Sequence, residues 1–198
     1  MTDLTQALMG ALDPGAVQRM GQQLGLDPKH TEGAIQAALP LLLGAMGRNA
    51  SDPQGAQSLH RAATRDHAGL DFGDVLGSVL GGQGQQAGSA ILGHIFGARQ
   101  QRASTGLGKI AGLDGAQASQ LLAMLAPLVM NMLGKQTQQR DLGAGGLGDL
   151  LGGAVRSAQG GSPDLVSAVL DRDGDGDVDF ADLMQAGGGL LGSMFGKR

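Results

Sequence analysis

Six aspartates near the C-terminal end of the printed sequence are the residues best suited to do chemistry. They lie in the stretch Asp-Arg-Asp-Gly-Asp-Gly-Asp-Val-Asp-Phe-Ala-Asp, which runs from 171 to 182. The six are Asp171, Asp173, Asp175, Asp177, Asp179 and Asp182. Acidic residues at alternate positions around a glycine turn can gather oxygen atoms about one point, and oxygen ligands suit hard divalent cations. The spacing therefore predicts a cation site.

The stretch matches the EF-hand calcium loop, in which oxygen ligands stand at positions 1, 3, 5, 7, 9 and 12. The first three aspartates would supply carboxylates, and Gly176 makes the sharp turn at position 6. Asp177 would supply its backbone carbonyl, and Asp179 would act through a water molecule. Asp182 stands at position 12, where Glu is usual, and its shorter side chain leaves the affinity and the choice between Ca²⁺ and Mg²⁺ open. Ca²⁺ is the expected ligand.

Residues on both sides of the loop favour helices. Ser162-Pro163 is a capping residue followed by a first-turn proline, and Leu183-Met184 follows the loop. The sequence therefore predicts a helix-loop-helix hand over 162–198. The final run Asp-Phe-Ala-Asp-Leu is similar to dockerin-type calcium loops. The alternative is a solvated acidic turn, but six aspartates in twelve residues repel one another strongly without a cation.

Composition excludes several other chemistries. The 198 residues include 37 Gly and no Cys, so disulfides, thiolate metal sites and cysteine nucleophiles are excluded. The formal net charge is −4. Six Asp and one Arg give the loop alone a charge of −5, which leaves +1 for the rest of the chain. A nearly neutral remainder has no electrostatic footprint for nucleic acid, so no nucleic-acid partner is expected.

The remaining candidates for catalysis are weak. The four histidines lie on different segments and lack the i, i+4 spacing of a helical metal pair; they are His30, His60, His67 and His94. We expect them to be solvated surface residues. The glycine-rich stretches do not match the phosphate-loop spacing with its Lys and Ser/Thr. No catalytic residue is therefore predicted, and a non-enzymatic structural or interaction protein is expected.

Helix signals recur along the first 140 residues. Asp13-Pro14, Asp27-Pro28 and Asp52-Pro53 each place a capping residue before a first-turn proline. A short apolar helix is expected over 72–82. Pro40 falls inside the third predicted helix and predicts a kink or break there. The expected fold class is all-α.

The chain also carries an internal repeat. Residues 4–48 align without gaps on 91–135, an offset of 87, with ten identical positions in 45. The tripeptide Gly-Leu-Asp at 25–27 recurs at 112–114, and a Pro-Leu pair recurs at the same 13-residue separation. This pattern predicts a duplicated helical array of two related three-helix units. We expect a helical domain over 1–138, a Gly-rich linker with a short helix over 139–161, and the calcium-binding segment over 162–198.

Several of these stretches together resemble the bacterial YidB-like family of unknown function. They are Gly-Leu-Asp at 25–27, Ala-Leu-Pro-Leu-Leu-Leu-Gly at 38–44, Ile-Leu-Gly-His-Ile-Phe-Gly at 91–97, and 121–132 with its central Ala-Pro-Leu. The resemblance covers about 1–135 and implies an all-helical fold. It implies no activity, because the shared motifs are structural. In that family a calcium loop often follows.

Glycines at four-residue spacing in the tail give the alternative function. Gly188, Gly192 and Gly196 could let a helix backbone pack closely, as in a membrane-surface or pore-associated protein with a glycine-zipper tail. The apolar runs at 34–46 and 121–133 are 13 residues each, short of the roughly 20 needed to span a bilayer, so a membrane is not the expected partner. Liposome co-sedimentation with and without 190–198 would separate the two functions.

Low charge and repeated apolar helices favour self-association. A unit that packs on its own copy can also pack on a copy from another chain, so a homo-oligomer is predicted beside a monomer. The first twelve residues carry Asp3 and no basic residue ahead of their short apolar run, unlike a secretory signal peptide. We therefore expect a cytoplasmic protein, with export by another route left open.

Overall fold

The computed structural model describes residues 4–67, 71–82 and 84–158, and every regular element in this part of the chain is helical. The α-helices described are α1 (Leu4–Ala11), α2 (Pro14–Leu24), α3 (Pro28–Ser51), α4 (Pro53–Arg61), α5 (Phe72–Leu80), α6 (Gly84–Phe96), α7 (Gln100–Ala111), α8 (Gly115–Gln139) and α9 (Ala144–Ala158). A π-helical segment, Ala62–His67, follows α4, and a 3₁₀ turn, Gly97–Arg99, joins α6 to α7. The all-α prediction is confirmed. The predicted hand over 162–198 lies outside the described residues.

Aspartates begin many of these helices. The side chains of Asp13, Asp27, Asp52, Asp71 and Asp114 accept backbone N–H groups at the starts of α2, α3, α4, α5 and α8. The first turn of a helix leaves its N–H groups without partners, and a carboxylate there satisfies them. At α8 the cap is reciprocal, because the Gln117 side chain accepts the Asp114 N–H in return. The helix starts predicted from the three Asp-Pro pairs are confirmed.

The prolines inside the two long helices do not end them. Pro40 lies within α3 and Pro127 within α8, and both helices continue past the proline. Of the predicted kink or break at Pro40, the break is therefore wrong. A proline removes one backbone hydrogen bond, but Leu39 and Leu42 on either side of Pro40 are buried in the core. Tertiary packing of these apolar residues holds the helix together across the lost bond.

Helix α8 is the centre of the core. Every residue from 121 to 130 is buried, which is the expected environment for a helix that is apolar all round. Helices α2, α3, α5, α6 and α7 and the π-helical segment all pack against it. The closest crossing is with α6, where a Cβ added to Gly88 would overlap the backbone of Ala123. Glycine is therefore required at position 88.

The Gly-rich stretch after α8 contains the short helix expected there. Helix α9 buries Leu147 and Leu151 completely within the same core as α8. By its contacts, the compact unit that contains this core spans Met1–Val155.

Equivalent boundaries recur at the offset of 87 residues. We name α1, α2 and α3 the first triplet and α6, α7 and α8 the second triplet. Gly25 ends α2 with φ of 70°, and Gly112 ends α7 with φ of 66°, a left-handed conformation that favours glycine. Asp27 and Asp114 then cap the long helices α3 and α8.

Candidate metal centre

The predicted calcium ligands lie outside the described residues. This holds for all six, Asp171, Asp173, Asp175, Asp177, Asp179 and Asp182. What the sequence shows for them is their spacing, in which the acidic positions fit an oxygen-ligand set. The described helices show what the other acidic residues of the chain do.

Five aspartates of the helical unit are used as helix caps. Asp27 is the clearest example, because its Oδ1 accepts the backbone N–H groups of Lys29 and His30, both at 3.0 Å. The bond from the His30 N–H holds the pKa of Asp27 below its ordinary value of 3.8. Within residues 4–67, 71–82 and 84–158, no group of three or more His, Cys, Asp or Glu side chains is placed to hold a metal ion. The acidic loop is thus the part of the sequence with a metal-ligand pattern.

Two histidines make specific contacts between helices. The His30 Nε2–H donates to the Ala111 carbonyl oxygen at 2.6 Å, and the His60 Nε2–H donates to the Leu142 carbonyl oxygen at 3.0 Å. Both side chains are half-buried, so the expectation of solvated histidines is wrong for them. His94 is exposed, as expected. The His67 side chain lies outside the described set.

Three side-chain amides that were not predicted from the sequence also donate to backbone carbonyls of other helices. Gln23 Nε2 donates to Leu80 O at 2.6 Å, Asn49 Nδ2 to His94 O at 3.0 Å, and Gln117 Nε2 to Leu24 O at 2.8 Å. Each acceptor lies in the last turn of another helix, where carbonyl groups lack partners within the helix. Donor and acceptor are distant in sequence, so no local pattern shows the pairing. Only the capping-box position of Gln117 is visible in the sequence.

These polar contacts join parts of the chain that are distant in sequence. Four of the donors bind a carbonyl in the last turn of another helix, and His60 binds the Leu142 carbonyl in the connection between α8 and α9. The bonds of His30, His60 and Gln117 are half-buried, and they satisfy backbone carbonyls that would otherwise lack a partner there. The role of these hydrogen bonds is structural.

Helix α8 is the described helix that is long and apolar enough to cross a membrane by composition. Its most apolar window has a mean hydropathy of 1.3, and 72 % of that window is buried inside the protein. The helix is 25 residues long, longer than the 13-residue apolar run seen in the sequence. Its burial is typical of the core helix of a packed domain.

The comparisons with known proteins give one family. Residues 6–136 match the profile described as a bacterial protein of unknown function, DUF937. The matched range covers all but the outermost two or three residues of the two triplets, together with the helices between them. No curated protein and no solved structure matches the chain.

Proposed function

The chain belongs to DUF937, a bacterial family of unknown function, and since the family carries no known activity we propose from the residues themselves that the protein binds calcium through 171–182. The observation that carries the proposal is the complete ligand pattern of the loop. Carboxylates would come from Asp171, Asp173, Asp175 and Asp182, the backbone carbonyl from Asp177, and a water-mediated contact from Asp179.

The charge distribution supports a bound cation. The loop holds a charge of −5 in twelve residues, whereas the rest of the chain is close to neutral. Two unit charges 4 Å apart repel by about 1 kcal/mol even in bulk water, and several such pairs coexist in a closed loop. A divalent ion at the centre turns this repulsion into attraction. Five aspartates of the helical unit, in contrast, are spread over separate helix starts and serve as caps.

The position of Asp182 bears on how tightly the ion is held. A Glu at position 12 reaches the ion with both carboxylate oxygens, and an Asp is one methylene shorter. We propose an affinity of about 10⁻⁵ to 10⁻³ M, toward the weak end of the EF-hand range. Such a site would respond to changes in calcium concentration.

We further propose a non-enzymatic structural or interaction role in the cytoplasm. The contacts that support it are made by His30 and Gln117, which bind backbone carbonyls of other helices, and by His60, which binds the connection between α8 and α9. Self-association belongs to the same proposal, because repeated helical units can pack on copies of themselves. The finer family assignment, to YidB-like proteins, is supported by the stretches at 25–27, 38–44, 91–97 and 121–132.

We also propose that the two triplets arose by duplication. The repeat of 87 residues in the sequence supports this, as do the two left-handed glycines Gly25 and Gly112. The caps Asp27 and Asp114 stand at the same offset. The proposed calcium-binding segment over 162–198 would follow the compact unit Met1–Val155, which includes most of the stretch predicted from the sequence as a linker.

Equilibrium dialysis tests the calcium proposal. The full chain is dialysed against Ca²⁺ and the bound metal is quantified by atomic emission, since a protein without Trp or Tyr has little intrinsic fluorescence. The matched pair of variants is Asp171→Asn with Asp175→Asn, inside the loop, and Asp141→Asn with Asp149→Asn, outside it. We expect the first pair to lose bound calcium and the second to keep it. Equal calcium in both would contradict the proposal.

A further inference from the structure

Two matched hydrogen bonds join the first triplet to the second. His30 donates to the carbonyl of Ala111 at 2.6 Å, and Gln117 donates to the carbonyl of Leu24 at 2.8 Å. The donors are the third residues of α3 and α8, and the acceptors are the last residues of α2 and α7. At the offset of 87, position 30 corresponds to 117 and position 24 to 111. Each bond is therefore the counterpart of the other, with the roles of the triplets exchanged.

The turns beside these bonds are also equivalent. The Leu26 N–H donates to Gly21 O at 2.8 Å, and the Leu113 N–H donates to Gly108 O at 2.9 Å. A Cβ on Gly21 would lie 2.9 Å from the Leu26 carbonyl oxygen, and one on Gly108 would lie 2.7 Å from that of Leu113. Glycine is required at both positions by the same close approach. The two triplets thus present the same backbone shape at their contact.

The reciprocity determines the symmetry of the contact. Helix α3 packs on α7 and α2 packs on α8, and these pairs exchange when one triplet is replaced by the other. Helices α3 and α8 also pack on each other. If a translation related the triplets, the counterpart of the α3–α7 contact would join the second triplet to a third one. The counterpart observed, α8 with α2, instead joins the second triplet back to the first. A two-fold rotation has this property, because applying it twice returns each triplet to its starting position, so a local two-fold axis relates the triplets in this region.

We propose that the contact between the triplets is an isologous interface whose fitting partner is a second copy of this chain. An isologous surface is complementary to itself, as in a two-fold dimer. Two chains that exchange their second triplets re-form both hydrogen bonds and both helix contacts, each bond then joining the first triplet of one chain to the second triplet of the other. The proposal rests on the duplication proposed above and not on calcium, so it is tested in the presence of chelator.

Cross-linking of two singly labelled copies tests the exchange. The chain has no cysteine, so Lys29→Cys in one copy and Ile110→Cys in another each introduce a single thiol. Both positions are exposed and lie next to the bonded pair His30 and Ala111. The copies, one of them carrying a tag that alters its mass, are unfolded together and refolded at high concentration. A short bismaleimide is then added, and the products are separated on a denaturing gel.

We expect a cross-linked product that contains both copies, and we expect none when the copies are refolded separately and then mixed. The matched control replaces Ile110→Cys with Ser58→Cys on α4, which begins beyond the far end of α3. Since α3 has 24 residues at about 1.5 Å each and α4 packs against α3, this control lies about 20 Å or more along α3 from Lys29 and should give no product. If no cross-linked product containing both copies formed, the proposal would be overturned. This holds whether or not a single chain with both Lys29→Cys and Ile110→Cys cross-links within itself.

A second measurement tests the two-fold relation in the native chain. His30→Ala and Gln117→Ala should both lower the melting temperature, and Gln117→Ala should lower it more, because Gln117 Oε1 also accepts the Asp114 N–H. His30→Gln places at position 30 the amide donor that stands at the equivalent position 117, so this variant should melt close to the native protein. A His30→Gln chain that melts as low as the His30→Ala chain would contradict the equivalence. Neither result bears on the separate proposal that 171–182 binds calcium.

Discussion

At the scale of single residues, aspartate does two different kinds of work in this chain. A capping aspartate such as Asp114 binds backbone N–H groups at one helix end, where isolated negative charge is favourable. An aspartate in the loop stands beside others of the same charge in the sequence, and the proposed cation would offset their repulsion. The two kinds of aspartate differ in their neighbouring groups, which are backbone N–H groups in one case and other carboxylates in the other. Each kind therefore has its own test.

Asp182→Glu tests the role of the last ligand. The longer side chain can reach the ion with both oxygens, so we expect calcium to bind more tightly, on the order of tenfold, which corresponds to about 1.4 kcal/mol. Asp182→Asn removes the charge and should weaken binding. The dissociation constants are compared by titration calorimetry. An unchanged constant in both variants would show that position 12 does not contact the ion.

Asp27→Asn tests the link between a cap and pH. The folded-state pKa of Asp27 lies below its ordinary value of 3.8, chiefly because the His30 N–H binds the carboxylate. Its stabilisation is therefore present above the unfolded pKa and is lost as the pH falls through the lower, folded pKa. Asparagine caps a helix about as well but does not titrate in this range. We expect the two proteins to have similar melting temperatures at neutral pH, and we expect the melting temperature of the native protein to fall more on acidification. Melting temperatures that fall in parallel from pH 7 to pH 2 would contradict this.

At the scale of helices, the crossing of α6 over α8 depends on one glycine. Gly88→Ala would place a methyl group against the Ala123 carbonyl, and we expect it to cost about 1–3 kcal/mol of unfolding free energy. Gly93→Ala is the matched control, because Gly93 lies on the exposed side of the same helix with no atom within 4 Å of an added Cβ. There alanine should gain about 0.5–1 kcal/mol through better helix propensity. Denaturant unfolding distinguishes them, and equal effects would mean that the helices do not cross at Gly88.

The helix starts could be predicted because their causes are local. Asp13-Pro14 and Asp27-Pro28 hold both the capping side chain and the first-turn proline within two residues. The behaviour of Pro40 could not be predicted, since distant apolar residues around α3 outweigh the local break. The contact of His30 with Ala111 spans 81 residues and has no local signal. The ligand pattern of the predicted calcium site, in contrast, is fully contained in twelve consecutive residues, 171–182.

At the scale of the whole molecule, the core extends past the family region into α9. Leu147 on α9 is completely buried, so Leu147→Ala should cost about 2–5 kcal/mol. Leu150→Ala on the same helix is the control, and it should cost less because Leu150 is only partly buried. Unfolding free energies of the full chain measure both. If Leu147→Ala proved no more costly than Leu150→Ala, α9 would not be packed in the core.

The central claim is that the loop 171–182 binds calcium, and a calorimetric titration of the full chain with Ca²⁺ tests it most directly. We expect one ion per chain, with a dissociation constant of about 10⁻⁵ to 10⁻³ M, and we expect the binding heat to disappear in the variant with Asp171→Asn and Asp175→Asn. A stoichiometry near zero, or the same heat in that variant as in the native chain, would contradict the claim.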